Sequence, residues 1–225
     1  MAAISGYESA SQTVVWVVMG IDLYYPAKIF AASSSTTKAA HYLVLVPKDA
    51  FNTKNVMNDT DDTTTGYYGS KMRSTILEAY KPAVQNSLGG ASNLLQICLL
   101  SSTASSDDRI NGGTGRSGAA SSGSVWSPYY LQLLNEVEIF GTKIASGTNY
   151  DAGFPNTQLP GFRLNPSLIV KKVNGAASSW WTLGINSTTR FVAVSSTAGI
   201  YEDLPLPGGK NANSLCGIVP SVYFG

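Results

Sequence analysis

The run TVVWVVMGIDLYY at 13–25 is almost wholly apolar and β-branched, and no alternation divides it into two faces. Such a run suits a buried strand or an arm that adds to a neighbour's sheet, and its pattern does not separate the two. HYLVLVP at 41–47 is a second strand signal, closed by Pro47. After the polar loop NDTDDTTTGYYG (58–69), Ser70 offers an N-cap to KMRSTILEAY, where Met72, Ile76 and Tyr80 recur every fourth residue and share one helical face. Pro82 is expected to break or kink this helix, and Gly89-Gly90 to end whatever follows it.

NLLQICLLSS (93–102) reads as a strand, and the tract from 101 to 124 that follows holds almost no apolar residue larger than alanine. A tract of that kind cannot bury itself, so a long exposed loop is expected. VWSPYYLQLL and NEVEIFG return to a β-like pattern, with Gly141 as punctuation, and the Gly- and Pro-rich SGTNYDAGFPNTQLPGFRLNP suits irregular loops on a core. The last third carries four short strand signals, SLIVKKV, SWWTLG, RFVAVS and GIVPSVYFG. With no internal repeat and no heptad, the pattern predicts one α+β domain over 41–225 and a strand or arm over 1–40 that serves assembly or attachment.

Composition changes this picture in one respect. Charged residues are only 13% of the 225, about half the usual share, so the surface is solvated by hydroxyls and amides. The formal net charge is +1 and the Lys and Arg residues form no run, which argues against nucleic acid as a partner. VVWVVMGI is too short to span a membrane, and MAAISGYESASQ lacks the basic start and cleavage site of a secretory signal. The chain is read as soluble, made in the cytoplasm and not inserted in a membrane. Its two cysteines, Cys98 and Cys216, are expected as buried thiols, with a bridge between them left open.

Candidate chemistry is sparse. GTGRSG (113–118) fits the glycine spacing of a dinucleotide loop but lacks the preceding strand and following helix that hold a pyrophosphate. Asp59, Asp61 and Asp62 cluster as calcium ligands do, yet an EF-hand reading puts Thr64 where glycine is needed and Ser70 where a bidentate acid is needed, so a capped turn is expected. His41 is the only histidine, no nucleophile elbow is present, and Glu136 and Glu138, read as neighbours on one face of a strand, have no marked cleft. No enzyme activity, metal or cofactor is expected. Trp126, Tyr129, Tyr130, Trp180, Trp181 and Phe191 lie in β-patterned segments, where alternation sends one of each neighbouring pair inward and leaves the other for sugar stacking or protein contact.

MNDTDDTTTGYYGSKMRSTILEAY (57–80), NEVEIFG (135–141), SGTNYDAGFPNTQLPGFRLNP (146–166), SSWWTLG (178–184) and GIVPSVYFG (217–225) together resemble a family of uncharacterised domains. That family is common in proteins of Firmicutes and of the phages and prophages that infect them. The resemblance implies a C-type-lectin-like fold, related to formylglycine-generating enzymes and to variable receptor-binding proteins of phage fibre tips, with a ligand-facing surface near the C-terminal strands. The family's Trp-Leu-Arg and Gly-Val-Arg-Pro blocks become Trp181-Thr182-Leu183 and Gly217-Ile218-Val219-Pro220, so both arginines are missing. The triplets of calcium-dependent lectins and the cysteine pair of formylglycine-generating enzymes are absent too.

The expectation is therefore a phage virion-surface protein, of receptor-binding or fibre-tip type, that touches a host cell-surface glycan or protein. The contact residues would be Trp181, Asn186, Thr188, Thr189, Arg190, Tyr201, Glu202, Asp203, Lys210, Asn211 and Asn213. The alternative is a structural capsid or tail decoration protein that binds other virion proteins through its N-terminal arm. Either role implies a homo-oligomer.

Overall fold

In the computed structural model, residues 1–8, 10–23, 41–103, 124–142, 144–145, 157–198 and 209–225 are described. The central sheet forms around the two most apolar strand segments. Strand β2 (Leu43–Pro47) pairs antiparallel with the last strand, β12 (Pro220–Phe224), through Leu45 and Val222. Both strands are buried on both faces, which is why each reads as a continuous apolar run instead of an alternation. β1 (Trp16–Ile21) lies beyond β2 at the sheet's edge. The 13–25 run thus supplies a strand to its own sheet, and a register shift between Val18 and Gly20 turns Met19 into the core. The other edge of β12 is shared end to end by β3 (Leu94–Leu95) and β6 (Leu131–Leu133).

The remaining strands form smaller units on this frame. β4 (Ile97–Ser102) and β5 (Ser124–Tyr129) make one antiparallel pair, and β7 (Lys171–Val173) and β8 (Ala176–Ser178) another. β9 (Trp180–Ile185), β10 (Arg190–Val194) and β11 (Lys210–Asn211) form a three-stranded sheet. The result is a mixed fold of mostly antiparallel strands and few helices, compatible with the α+β expectation. One parallel bridge, Trp180 with Gly217, ties the small sheet to the segment that leads into β12.

The first helix begins with a wide turn, Met72–Ile76, and continues as α1 (Leu77–Ser87). Met72, Ile76 and Tyr80 are fully buried, as their spacing predicts. The Ser70 hydroxyl accepts the Arg73 N–H at 3.3 Å, the capping contact expected of it. Pro82 lies inside the helix and does not break it, so that half of the expectation is corrected. It removes one N–H from the ladder, but Leu77, Tyr80, Ala83 and Val84 hold the same face in the core on either side of it.

NEVEIFG is also a helix and not a strand: α2 (Glu136–Phe140). Asn135 and Glu138 form a reciprocal capping box, and Gly141 closes the helix at a φ of 80°. Glu136 and Glu138 are buried, and Glu136 accepts the backbone N–H of Ile144 and Ala145 at 3.2 and 2.6 Å. Both carboxylates hold backbone, so they are not a catalytic pair across a cleft. α3 (Pro160–Leu164) and a 3-10 turn, Pro166–Ile169, follow, and only the end of SLIVKKV is strand. Gly161 lets α3 lie against β1: a Cβ there would come within 2.2 Å of the Met19 sulfur.

The segment before β1 is tied down by one acid. Glu8, 4% exposed, accepts the Thr53 N–H at 3.0 Å, the Thr53 hydroxyl at 2.9 Å and the Tyr80 hydroxyl at 2.8 Å. Glu8→Ala strands those three donors and is expected to lower the unfolding free energy by about 3 kcal/mol, read in urea denaturation. A loss below about 0.5 kcal/mol would show that the three bonds to Glu8 do not hold this segment to the body.

Candidate functional site

The turn between β9 and β10 is built from Asn186–Thr189, where Asn186 and Ser187 favour turns and the Ser187 hydroxyl accepts the Thr189 N–H at 3.4 Å. The backbone N–H of Asn186 and of Ser187 both bond the Arg190 carbonyl, at 3.0 and 3.3 Å, which closes the turn. β11 lies beside it, and Ala212 N–H donates to the Thr189 carbonyl at 2.9 Å. Gly209 allows this approach, because a Cβ there would sit 2.9 Å from the Phe191 carbonyl oxygen.

The acidic loop at 58–64 forms the third side. Thr63 donates its N–H to the Thr188 carbonyl at 3.0 Å and its hydroxyl to the Ser187 carbonyl at 2.7 Å. The Asp61 carboxylate accepts from the Asn211 side chain at 2.9 Å and from the Asn213 N–H at 3.2 Å, and Asn211 in turn accepts the Arg190 Nε–H at 3.2 Å. Asp59 pairs with Lys71, and Asp62 accepts the N–H and hydroxyl of Thr64. Those bonds, with the Thr64 N–H first, hold the Asp62 carboxyl below its usual range. The three acids are thus turned to separate partners, the arrangement of a capped turn. Among the described residues no three His, Cys, Asp or Glu side chains converge as metal ligands do.

Seven of the expected contact residues, Asn186, Thr188, Thr189, Arg190, Lys210, Asn211 and Asn213, come together on this face. Thr188, Thr189 and Asn213 are exposed. The other four are half-buried and partly engaged: Asn186 donates to the Ala145 carbonyl at 2.7 Å, and Lys210 to the Ser179 hydroxyl at 3.2 Å. Tyr201, Glu202 and Asp203 lie outside the described residues, as do GTGRSG and most of the 101–124 tract. No family model, curated protein or solved structure matches the chain.

Trp181 does not belong with these contacts. It is fully buried, as is Trp180, and their indole N–H groups donate to the carbonyls of Asn55 and Ile169 at 2.8 and 3.0 Å. Alternation does send the two rings to opposite faces, but all six residues of β9 are buried, so neither face meets solvent. Phe191 and Tyr129 are buried as well. Tyr68, 37% exposed, carries the Arg73 guanidinium 4.3 Å from its ring centroid.

Other candidates resolve as structural. Cys216 is a free, buried thiol with its sulfur 3.5 Å from the Ser179 hydroxyl, and burial pushes its pKa up, so it forms no bridge and is a poor nucleophile. His41 is exposed and meets Asp22 at 2.7 Å beside β2. Asp61, Thr63 and Gly209, which hold the face together, were not singled out by sequence as its members. Asp61 carried a signal as one of three clustered acids, but its bonding to residues 211 and 213 is long-range and leaves no trace in local pattern.

Proposed function

We propose that the protein is a non-enzymatic virion-surface protein of a phage, of receptor-binding or fibre-tip type, built on a C-type-lectin-like domain. Through the face formed by the β9–β10 turn, β11 and the 58–64 loop it contacts a host cell-surface glycan or protein. The observation that carries the reading is the convergence of Thr188, Thr189 and Asn213, exposed hydroxyls and an amide, on a backbone fixed by Asp61 and Thr63. Such a face presents hydrogen-bonding groups at little ordering cost, which suits a polyhydroxyl or polar peptide ligand. Its place beside the late strands agrees with what the family resemblance implies.

A second reading, a capsid or tail decoration protein, is favoured by the sheet edge. β1 exposes Val18 and Ile21, and Val15 just ahead of it, at 48%, 62% and 56% of their surfaces. One experiment separates the two. Alanine at Thr188, Thr189 and Asn213 together is expected to abolish binding of the purified protein to a panel of Firmicutes cells, with the melting temperature unchanged. Undiminished cell binding overturns the receptor reading, and loss of virion incorporation in Val18→Lys with cell binding retained establishes β1 as the attachment edge.

A further inference from the structure

A cavity of about 140 Å³ opens where three segments meet: Gln12–Val15 ahead of β1, Lys48–Asn52 after β2, and Lys172–Gly175 at the β7–β8 turn. None of its lining residues belongs to the face described above. Its walls are cross-bonded. Lys48 N–H donates to the Val15 carbonyl at 2.8 Å, Ala50 N–H to the Lys172 carbonyl at 3.0 Å, and the Asn174 side chain to the Asn52 carbonyl at 2.9 Å. The depression is therefore preformed, as small-ligand sites usually are, but too small for a whole drug-sized molecule.

Its chemistry is that of a donor set. Lys48 and Lys172 both line it, and neither is among the ion pairs of the described residues, which are His41–Asp22, Lys71–Asp59 and Lys81–Glu78. Asp49, the single acid in the lining, already accepts the Lys172 backbone N–H at 3.2 Å. Gln12 adds a third donor whose orientation is fixed. Its Oε1 accepts the Asn52 N–H at 3.1 Å, so Nε2 must donate, and that nitrogen is buried without an acceptor among the described residues.

We propose that this cavity binds a small oxyanion, the phosphate or carboxylate of a ligand whose remainder lies over the mouth. Lys48 and Lys172, both exposed lining residues, outnumber the one lining carboxylate, Asp49, so the lining carries a net positive charge, and charge-assisted bonds to an anionic oxygen are the strong kind. The inference does not rest on the receptor reading, and its site shares no residue with that one.

The test uses the full chain, labelled with ¹⁵N and titrated with inorganic phosphate and separately with glucuronate, at constant ionic strength. Saturable shifts are expected at the Gln12 side-chain amide and at the Lys48, Asn52 and Lys172 backbone amides. Lys48→Gln combined with Lys172→Gln is expected to weaken binding at least about ten-fold, whereas Lys54→Gln, an exposed control outside the cavity, leaves it unchanged. Saturation by one or both anions supports the site and tells a phosphoryl from a carboxylate ligand. Linear shifts with both anions, or saturation undiminished in the double variant, overturn it.

Discussion

Trp181→Ala is expected to lower the unfolding free energy by about 4 kcal/mol, a large part of the 5–15 kcal/mol that holds a typical domain together. The indole is fully buried, and its backbone joins two parts of the fold: Trp181 N–H donates to the Gly217 carbonyl at 3.1 Å, and the residue pairs with Ala193 on β10. Removing the ring opens a cavity in a close-packed layer and strands the Asn55 carbonyl that accepted its N–H. Trp181→Phe separates the two effects. It refills most of the volume but not the hydrogen bond, and should lose about 2 kcal/mol. Urea denaturation of both variants measures this. An unchanged midpoint in Trp181→Ala would return the residue to the surface contacts from which its burial removes it.

The tryptophan pair also shows where the sequence stops being legible. Periodicity read locally tells which face of a strand a residue takes, and it did so correctly for Trp180 and Trp181. It does not tell whether that face is covered, because the cover comes from Asn55 and Ile169, donated by segments far away or irregular. β2 and β12 were readable because a run apolar on both faces admits few other homes. NEVEIFG misled for a different reason. Val137 and Ile139 alternate with Glu136 and Glu138 as a strand would, while the decisive signal was Asn135 with Glu138 three residues on, the spacing of a capping box.

The candidate face divides along the same line. The β9–β10 turn declares itself through Asn186-Ser-Thr-Thr, since such side chains compete with ladder bonds. The 58–64 loop declares only that it is a turn. Its role as the third side depends on Asp61 reaching Asn211 and Asn213, about a hundred and fifty residues away along the chain. Long-range polar ties of this kind fix a surface without any periodic imprint, so sequence delivered the outer residues of the face and missed the ones that hold them.

Lys171 gives the second large effect, and it appears as a function of pH. The side chain is fully buried, with Nζ donating to the carbonyls of Pro47 and Lys48 at 2.7 and 3.0 Å and lying 5.6 Å from the Phe162 ring centroid. Burial pulls its pKa down from 10.5 to about 7, against the Asp49 carboxylate, which supports the charged form. The unfolded chain keeps the ordinary value. Between about pH 7 and 10.5 it therefore binds more protons than the folded chain at this site, and stability rises with pH across that window. Below pH 7 both states are protonated and the full penalty of the buried ammonium, up to about 5 kcal/mol, is present. Burial of Cys216 and Tyr129 acts in the opposite sense, since acids whose pKa is raised lose stability as pH climbs through their unfolded values. The difference between wild type and Lys171→Met cancels those groups. Measured by urea denaturation from pH 6 to 10, the variant should gain on the wild type at the acid end and fall behind at the alkaline end. Parallel curves would mean that Lys171 keeps its proton throughout, held by the two carbonyls more strongly than burial opposes it.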